Sequence, residues 1–397
     1  MTVQDIDTAV PYCGDPPMKV GPLFSRDRNG GVPALFDGRD VHWSFNARVA
    51  IRAACDLLGL KTGDEVLAPA YNCGSELDPL FHAGLTVTLY PVGRDGVADP
   101  ERIAARITPR TRAIYVTHYF GFLQPELDGI RALCDARGLR LIEDCALSLL
   151  SGVRPAEGRV GDVAVFCLYK FFPVLGGGAL VINATDLDRS DPFRRAPPWR
   201  RVTKDLARSA LKGTLGTERT RAALARLRRP LRKGAPNAAL PEAERPDIPA
   251  HYYFDPALQD ARISLFAARP IHAFDTTAAI AARRANWQRF QPLLADMPGA
   301  EPLFAALPPE VCPLSMPVLV ADRNRIAAEL QARGIAATPW WAGYNRRLNW
   351  AGLTDAAYLK DHVLSLPLHQ FLGAEHVNHI VRTLRDVMLP GRSGPAL

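Results

Sequence analysis

The fold of the chain is decided by residues 113–146, which read AIYVTHYFGFLQPELDGIRALCDARGLRLIEDCA. The apolar runs at 113–117 and 139–142 predict two strands, and the stretch 127–137 between them predicts a helix. A strand, a helix and a second strand in this order are typical of a β-α-β unit, in which the two strands are parallel.

The same alternation extends to both sides of this unit. An amphipathic helix is predicted within 41–60, and strands are predicted at 66–69 and 86–90. After the unit, 163–182 predicts two closely joined strands, and 258–294 predicts a long helical stretch. The pattern as a whole predicts a mostly parallel sheet with helices on both faces.

The end of the chain alternates again. A strand is predicted at 311–320, and helices are predicted at 321–333 and 375–387. This pattern indicates a second, smaller α/β domain.

Length and composition exclude several classes of protein. A chain of 397 residues predicts two or three domains, and 48% hydrophobic with 22% charged residues excludes wholesale disorder, collagen and coiled coil. The seven cysteines include no C-x-x-C pair, so we expect neither a disulfide framework nor a structural zinc site. Residues 1–20 have no apolar core of a signal peptide, and the longest apolar stretch, 163–183, contains Lys170 and three glycines. We therefore expect a soluble cytoplasmic protein.

The positive charge of the chain lies in one segment. The formal net charge is +7, but residues 194–233 hold fourteen lysine and arginine residues and two acidic ones, so this segment carries +12 and the rest carries −5. Its leucines recur at helical spacing, which is typical either of a solvated helix packed on its own domain or of peripheral contact with an anionic membrane. No nucleic-acid-binding motif accompanies the charge, so we expect no nucleic-acid partner.

Polar and reactive side chains follow the predicted strands. Because ligands of an open α/β sheet bind at the carboxyl ends of the strands, we expect these side chains to converge on one cleft. They belong to Tyr71, Asn72, Cys73, His118, Tyr119, Glu143, Asp144, Tyr169 and Lys170.

Lys170 and Asp144 are the strongest candidates for chemistry. Lys170 has apolar and aromatic neighbours, which predicts that burial lowers the pKa of its amine and makes it a nucleophile towards carbonyls. A lysine that snorkels at a strand end has the same neighbours, so that alternative stays open. Asp144 is placed to pair with a cationic ring nitrogen or a metal ion, or to cap a following helix.

Four motifs, in chain order, resemble the DegT-type sugar aminotransferases, which are fold type I enzymes that use pyridoxal phosphate. The resemblance runs over 45–183 and resumes at 262–284 and 366–368. Four motifs in the right order are much more specific than any one alone. They are GDEVLAP at 63–69, HYFG at 118–121, LIEDCA at 141–146, and LYK at 168–170 with GGG at 176–178.

The resemblance implies a fold and two central residues. The fold is a large domain at 1–275 with a mostly parallel seven-stranded sheet between helices, and a smaller C-terminal α/β domain at 276–397. Lys170 is implied to carry pyridoxal phosphate covalently and to move protons. Asp144 is implied to keep the pyridine nitrogen of the cofactor protonated.

Other cofactor positions depart from the family pattern. Asn46-Ala47-Arg48 begins the helix that is implied to bind the phosphate, where Ser-Gly-Thr is usual. Cys73 replaces an aromatic residue that stacks on the cofactor ring, Leu147 replaces a polar residue near the ring hydroxyl, and Cys167 replaces a serine that touches the phosphate. A lost hydrogen bond to a charged group costs about 1.5–3 kcal/mol. The departures motivate an alternative hypothesis, a non-catalytic or regulatory protein on the same fold whose basic segment docks on a partner or a membrane.

The activity that the resemblance implies is transfer of an amino group, with glutamate as the donor, to a nucleotide-linked keto sugar. The product would serve polysaccharide or glycosylated-metabolite biosynthesis, and the enzyme would be a homodimer without a metal ion. Five residues are candidates for substrate contact, with packing or structural hydrogen bonding as the alternative for each. They are Tyr71, His118, Tyr119, Trp341 and His369.

Overall fold

The computed structural model describes residues 30–203 and 245–389. Its strands form one seven-stranded sheet and one four-stranded sheet. Among the described residues, no helix is long and apolar enough to cross a membrane.

Strands β1 to β7 form the large sheet. Their bounds are Asp40–Ser44, Glu65–Pro69, Thr86–Tyr90, Thr111–Thr117, Arg140–Asp144, Val163–Cys167 and Gly178–Ile182. The spatial order is β1-β7-β6-β5-β4-β2-β3. The strands from β3 across to β6 pair in parallel, and only β7 is antiparallel to its two neighbours. The predicted mostly parallel seven-stranded sheet is therefore confirmed.

Four helices accompany these strands: α1 at Ala47–Leu57, α2 at Asp78–His82, α3 at Pro100–Ala104 and α4 at Leu127–Arg137. Local chemistry fixes where two of them begin or end. The Asn46 side chain accepts a hydrogen bond from the amide of Val49 and begins α1. Gly138 ends α4 with φ of 62°, a left-handed conformation that glycine adopts without strain.

The long helical stretch predicted at 258–294 is wrong for its first part. The chain there forms a 3₁₀ turn at Pro270–Ala273 after a short helix, α5, at Leu265–Ala268. Pro270 has no N–H to continue the preceding helix. Asp275 then accepts a hydrogen bond from the amide of Ala278 and begins α6 at Thr276–Ala295.

The C-terminal part contains the small sheet. Strands β8 to β11 are Ala300–Pro302, Met316–Val320, Thr338–Pro339 and Val363–Leu366, and all neighbours are antiparallel in the order β10-β11-β9-β8. Helices α7 to α9 are Arg323–Ala332, Thr354–His362 and Ala374–Met388. Trp287 and Phe290 of α6 are buried in the apolar core of this part. The boundary predicted between 275 and 276 stays a prediction that this packing supports.

Two predictions concern residues that are only partly described. Of the basic segment 194–233, the structure describes 194–203, so the predicted docking role lies mostly outside the described residues. The six cysteines in the described part are all free.

Candidate functional site

The carboxyl ends of the central strands meet at one edge of the large sheet. Asp144, the last residue of β5, pairs with Thr117 at the end of β4 and with Val165 of β6. Cys167 ends β6 and pairs with Gly178, where β7 begins. The predicted strand-end residues therefore lie along the same edge, because parallel strands all end there.

Lys170 lies in a tight turn between β6 and β7. The amides of Phe171 and Phe172 both donate to the carbonyl of Leu168, at 3.1 and 2.9 Å. Gly176 and Gly177, which have φ of 76° and 84°, return the chain, and the amide of Leu168 donates to the carbonyl of Gly177 at 3.1 Å. Positive φ of this size strains any residue with a Cβ.

The glycine turn also fastens Lys170 to the amino end of α1. The amide of Gly177 donates to the carbonyl of Phe45 at 2.7 Å. A Cβ on Gly178 would lie 2.6 Å from the Ala47 nitrogen, closer than side chains pack. Only glycine permits this approach. The GGG run therefore places the turn that carries Lys170, which we call the lysine turn, against the amino end of α1.

The lowered pKa predicted for Lys170 is wrong. Burial by itself would lower it, but the acidic groups around the amine outweigh burial and raise the pKa above its ordinary value. These groups are, in order of effect, Cys167, Asp144, Cys73 and Glu76. The lysine is therefore charged in the free protein, and a carbonyl ligand would first have to displace its proton.

Asp144 is 4% exposed, and each carboxylate oxygen has one protein donor. The Tyr115 hydroxyl donates to Oδ2 and the amide of Ala146 donates to Oδ1, both at 2.9 Å. No helix follows directly, so Asp144 does not cap one; residues 146–150 form turns. A carboxylate oxygen accepts up to two hydrogen bonds, so Asp144 keeps the capacity to bind a cationic ligand.

Cys73, Cys167 and Glu76 complete a group that we call the lysine site, together with Lys170 and Asp144. Cys167 is 1% exposed, and burial raises the pKa of its thiol to about 11. Burial and the neighbouring Glu76 also raise the pKa of Cys73, whose sulfur accepts a hydrogen bond from the Ser75 hydroxyl at 3.3 Å. Both thiols are therefore protonated near pH 7.

The amino end of α1 is available to an anion, but Arg48 is engaged elsewhere. The first amides of a helix have no partner within it, and Ala47 and Arg48 stand at these positions. The Arg48 guanidinium donates to the carbonyls of His251, Tyr252 and Tyr253. At this helix end Arg48 therefore offers only its backbone amide, because its side chain binds the backbone of residues 251–253.

Three predicted substrate residues form one group, which we call the aromatic cluster. The ring of Tyr71 lies 5.3 Å from that of Tyr119 and 5.1 Å from that of Trp341. The Tyr119 hydroxyl donates to the carbonyl of Tyr71 at 2.7 Å. Trp341 has φ of 50° and Phe120 has φ of 55°, strained conformations that are enriched at functional sites.

His118 is fully buried and serves a structural hydrogen-bond network. Its Nδ1 accepts from the amide of Gln124 at 3.0 Å, so the ring proton lies on Nε2, which donates to Glu143 at 3.2 Å. Cys145 lies near enough to complete a set of three potential metal ligands. A metal ion at Nε2 would have to displace the proton of an already satisfied pair, so the geometry favours the hydrogen bond.

Two further predicted residues make structural contacts. Leu147 is 1% exposed and packs in an apolar core with Leu149 and Phe166. His369 is fully buried, and its Nδ1 accepts a hydrogen bond from the amide of Phe371 at 3.3 Å. A role for Leu147 at the cofactor or for His369 at the substrate stays a prediction.

Several residues that position the site escape prediction from the sequence. Tyr115 holds Asp144, and Glu76 and Lys360 are buried ionisable groups near Cys73. Arg283 and Gln370 both donate to the carbonyl of Phe171, at 3.5 and 2.8 Å. Two signals could have found some of them, the tyrosine within an apolar strand and the acidic Glu76 in a loop after a strand. The others depend on contacts distant in sequence.

Comparison with known proteins agrees with this architecture. Residues 44–191 match the model of the DegT/DnrJ/EryC1/StrS aminotransferase family. L-glutamine:2-deoxy-scyllo-inosose aminotransferase of Streptoalloteichus tenebrarius is 32% identical over 37% of this chain and 35% of its own length. GDP-perosamine synthase of Vibrio cholerae is 30% identical over 36% of this chain and 39% of its own length. The chain thus spans well under half the length of these relatives.

Solved structures are similar over nearly the whole chain. PseC of Helicobacter pylori, an aminotransferase involved in the biosynthesis of pseudoaminic acid, is 17% identical with a TM-score of 0.65, over 95% of this chain and 98% of that one. DesI, solved in the presence of its TDP-sugar product, is 21% identical with a TM-score of 0.63, over 96% and 94%. At these identities the likeness shows the fold alone.

The fold and the converging strand ends define a fold type I α/β protein, as predicted. Within that class, residues 44–191 resemble the DegT/DnrJ/EryC1/StrS aminotransferase family, whose model they match. The resemblance stated from the four sequence motifs is therefore confirmed.

Proposed function

We propose that the protein is a pyridoxal phosphate-dependent aminotransferase that moves an amino group to a keto sugar. The observation that carries the proposal is the meeting of Lys170, Asp144 and the amino end of α1 at one sheet edge, joined by the glycine turn. A lysine, a carboxylate and a helix amino end are the three groups that the aldehyde, ring nitrogen and phosphate of this cofactor need.

The residues present fit the cofactor. Asp144 would hold the ring nitrogen through its remaining acceptor capacity, and the amides of Ala47 and Arg48 would hold the phosphate. Cys73 and Cys167 would contact it as neutral thiols, the first through a sulfur–ring contact. When bound, the cofactor supplies an acceptor for the electron pair that a broken C–H bond releases.

Lys170 would bind the cofactor and move protons at its Nζ atom. Its position beside Asp144 keeps the amine in the electrostatic field of a carboxylate that Tyr115 fixes. The Phe171 carbonyl, held by Arg283 and Gln370, restrains the adjacent backbone. Such restraint matters because proton transfer requires the donor atom and the acceptor atom to lie within hydrogen-bond reach.

The aromatic cluster supports a sugar as the amino acceptor, because aromatic side chains combine an apolar face with a polar tip. We propose that Trp341, which is partly exposed, contacts the sugar, while Tyr71 and Tyr119 support it from behind. The names of several relatives specify nucleotide-linked sugars, including GDP-perosamine and UDP-N-acetyl-3-dehydro-alpha-D-glucosamine. A nucleotide-linked keto sugar is therefore the proposed acceptor, for polysaccharide or glycosylated-metabolite biosynthesis.

Glutamate is the proposed amino donor, and glutamine is the alternative because one relative's name specifies it. The two donors are distinguished by incubating the purified protein with each of them and assaying the 2-oxo acid that forms.

The homodimer and the cytoplasmic location remain proposals. Sedimentation tests the first, and cell fractionation tests the second.

The decisive experiment is reduction of the protein with borohydride in the presence of pyridoxal phosphate, followed by peptide mapping. We expect a pyridoxyl group on Lys170. Lys170→Ala should lose the label and at least about 10³-fold of transamination, because it removes both the binding and the proton-moving group. Lys61→Ala, an exposed lysine outside the site, is the matched control. Full activity of Lys170→Ala would refute the assignment.

A second candidate is a non-catalytic or regulatory protein on the same fold. It is favoured by Cys73 and Cys167 at cofactor positions and by the name of one relative, the sensory transduction protein EryC1 of Saccharopolyspora erythraea, 33% identical over 45% of its length. Absence of pyridoxal phosphate binding by the folded protein would favour it. The docking role of the basic segment stays a prediction, and liposome flotation with and without 194–233 tests it.

A further inference from the structure

Glu76 is a buried carboxyl group with one free oxygen. Its side chain is 8% exposed, and its Oε1 accepts a hydrogen bond from the amide of Cys73 at 2.7 Å. Its Oε2 is buried and has no hydrogen-bond partner within the described part of the chain. A buried polar atom of this kind is rare in folded proteins, and it indicates a place for a ligand or a water molecule.

Glu76 lies inside the lysine site. Burial and the neighbouring Asp144 raise the pKa of Glu76. Two backbone hydrogen bonds and Lys170 lower it, with smaller effects. The Lys360 ammonium is also influenced by Glu76, but its three hydrogen bonds go to backbone carbonyls. The pKa of this carboxyl group is therefore above its ordinary value, and in the neutral form its free oxygen can donate a hydrogen bond.

The site lacks a hydrogen-bonding side chain at a predicted cofactor position, and Glu76 can supply one. Leu147 packs in the apolar core and offers no hydrogen bond, and Cys73 offers a thiol in place of a ring. Glu76 shares the loop of Cys73 and is held to it by the 2.7 Å hydrogen bond. The carboxyl group on this loop can therefore supply a hydrogen bond that the leucine side chain does not offer.

We propose that Glu76 is an additional cofactor-contacting residue, whose free Oε2 donates a hydrogen bond to an acceptor atom of bound pyridoxal phosphate. The inference rests on the proposed function, since it requires that cofactor. It gives Oε2 of Glu76 a hydrogen-bond partner and accounts for Leu147 at a position where a polar residue is usual.

Three variants test the proposal by titration of cofactor absorbance and fluorescence, which measures the dissociation constant without any turnover. Glu76→Met should weaken pyridoxal phosphate binding at least tenfold, because it removes the donor and keeps the side-chain length. Glu76→Gln should bind within about threefold of the unmodified protein, because the amide nitrogen still donates. Glu65→Gln is the matched control, since Glu65 is a buried carboxylate held by three threonines at the opposite edge of the sheet.

The melting temperature without cofactor separates contact from structural support. A merely structural Glu76 would lower this temperature in Glu76→Met, whereas a contact residue would change mainly the dissociation constant. Should Glu76→Met not fold, Glu76→Thr, which also shortens the reach of the donor, replaces it and should weaken binding likewise. Equal binding by the folded variants and the unmodified protein would overturn the inference while leaving the label on Lys170 intact. Failure of the unmodified protein to bind the cofactor would instead defeat the proposed function itself.

Discussion

Lys360 is a fully buried lysine whose ammonium group lies between backbone carbonyls and aromatic rings. Its Nζ donates to Asn72 at 2.6 Å, to Gly343 at 2.9 Å and to Trp341 at 3.0 Å. The rings of Tyr344 and Trp350 lie 5.0 and 4.7 Å away. These contacts fasten α8 to the loop that carries Cys73 and to the aromatic cluster, so one residue connects the C-terminal part to the lysine site.

Replacing Lys360 by Met should destabilise the protein. Three buried carbonyls would lose their donor, and each unsatisfied buried group costs about 1–3 kcal/mol, partly offset by removal of a buried charge. We expect a fall in the free energy of unfolding of about 2 kcal/mol, measured in urea. Lys61→Met, at an exposed position, should change it by no more than about 0.5 kcal/mol.

The stability of the protein should also depend on the titration of Lys360. Burial lowers its pKa from the ordinary 10.5 to about 7. Between these two values the unfolded chain binds more protons than the folded one, so stability contributed by this residue rises with pH from about 7 to 10.5. The difference in unfolding free energy between the unmodified protein and Lys360→Met should therefore increase with pH across this window. A difference that is flat with pH would show that the carbonyls hold the lysine charged throughout.

At the scale of elements, the turn between β6 and β7 determines where the lysine lies. It is held at both ends, by the Leu168 hydrogen bonds and by the contact of Gly177 with Phe45. The next residue, Gly178, brings the start of β7 against the amino end of α1. A short loop thus couples the position of Lys170 to the proposed phosphate site.

Gly178→Ala should disrupt this coupling. The new Cβ would lie 2.6 Å from the backbone nitrogen of Ala47, and relief would require the helix to move. Overpacking of this kind costs about 1–3 kcal/mol, and we expect weaker binding of pyridoxal phosphate in addition. Gly373→Ala is the control, because its nearest neighbour would be 3.8 Å away. Unchanged cofactor affinity in Gly178→Ala would show that the helix end is not part of the site.

At the scale of the whole molecule, the C-terminal part supports the lysine turn. The Arg283 side chain of α6 donates to the carbonyls of Pro313 and Leu314 and to Gln370. Gln370 in turn donates to the carbonyl of Phe171, directly after Lys170. A chain of hydrogen bonds therefore links the two parts at the proposed catalytic residue.

Gln370→Leu should lower kcat, and it should also lower the free energy of unfolding by about 1–3 kcal/mol because Arg283 loses an acceptor. Removing the 2.8 Å hydrogen bond to Phe171 lets the adjacent lysine shift, and small displacements at a reacting group are costly, here about tenfold. Gln331→Leu is the matched control, because Gln331 also donates to a backbone carbonyl but lies away from the site. Steady-state kinetics and thermal melts of both variants test this prediction. A kcat of Gln370→Leu equal to that of Gln331→Leu would show that Gln370 does not support Lys170.

Six of the seven strands of the large sheet, β2 to β7, follow from the sequence by itself, whereas β1 at Asp40–Ser44 does not stand out in the pattern. Periodicity along the chain is a local property, and parallel strands necessarily bring their carboxyl ends to one edge. Lys170, Asp144 and Cys73 can therefore be grouped from the amino-acid sequence alone. The interruption near Pro270 could have been predicted, because a proline within a helical pattern ends or kinks the helix, but the apolar periodicity by itself does not record it.

Only the tertiary structure decided the surroundings of these residues. Burial alone would lower the pKa of Lys170, but acidic neighbours that include Asp144 at the end of β5 raise it, and so the local expectation of a lowered pKa fails. Lys360 meets Asn72 across 288 positions of sequence. Hydrogen bonds and charges act through space, so neither periodicity nor spacing along the chain records them.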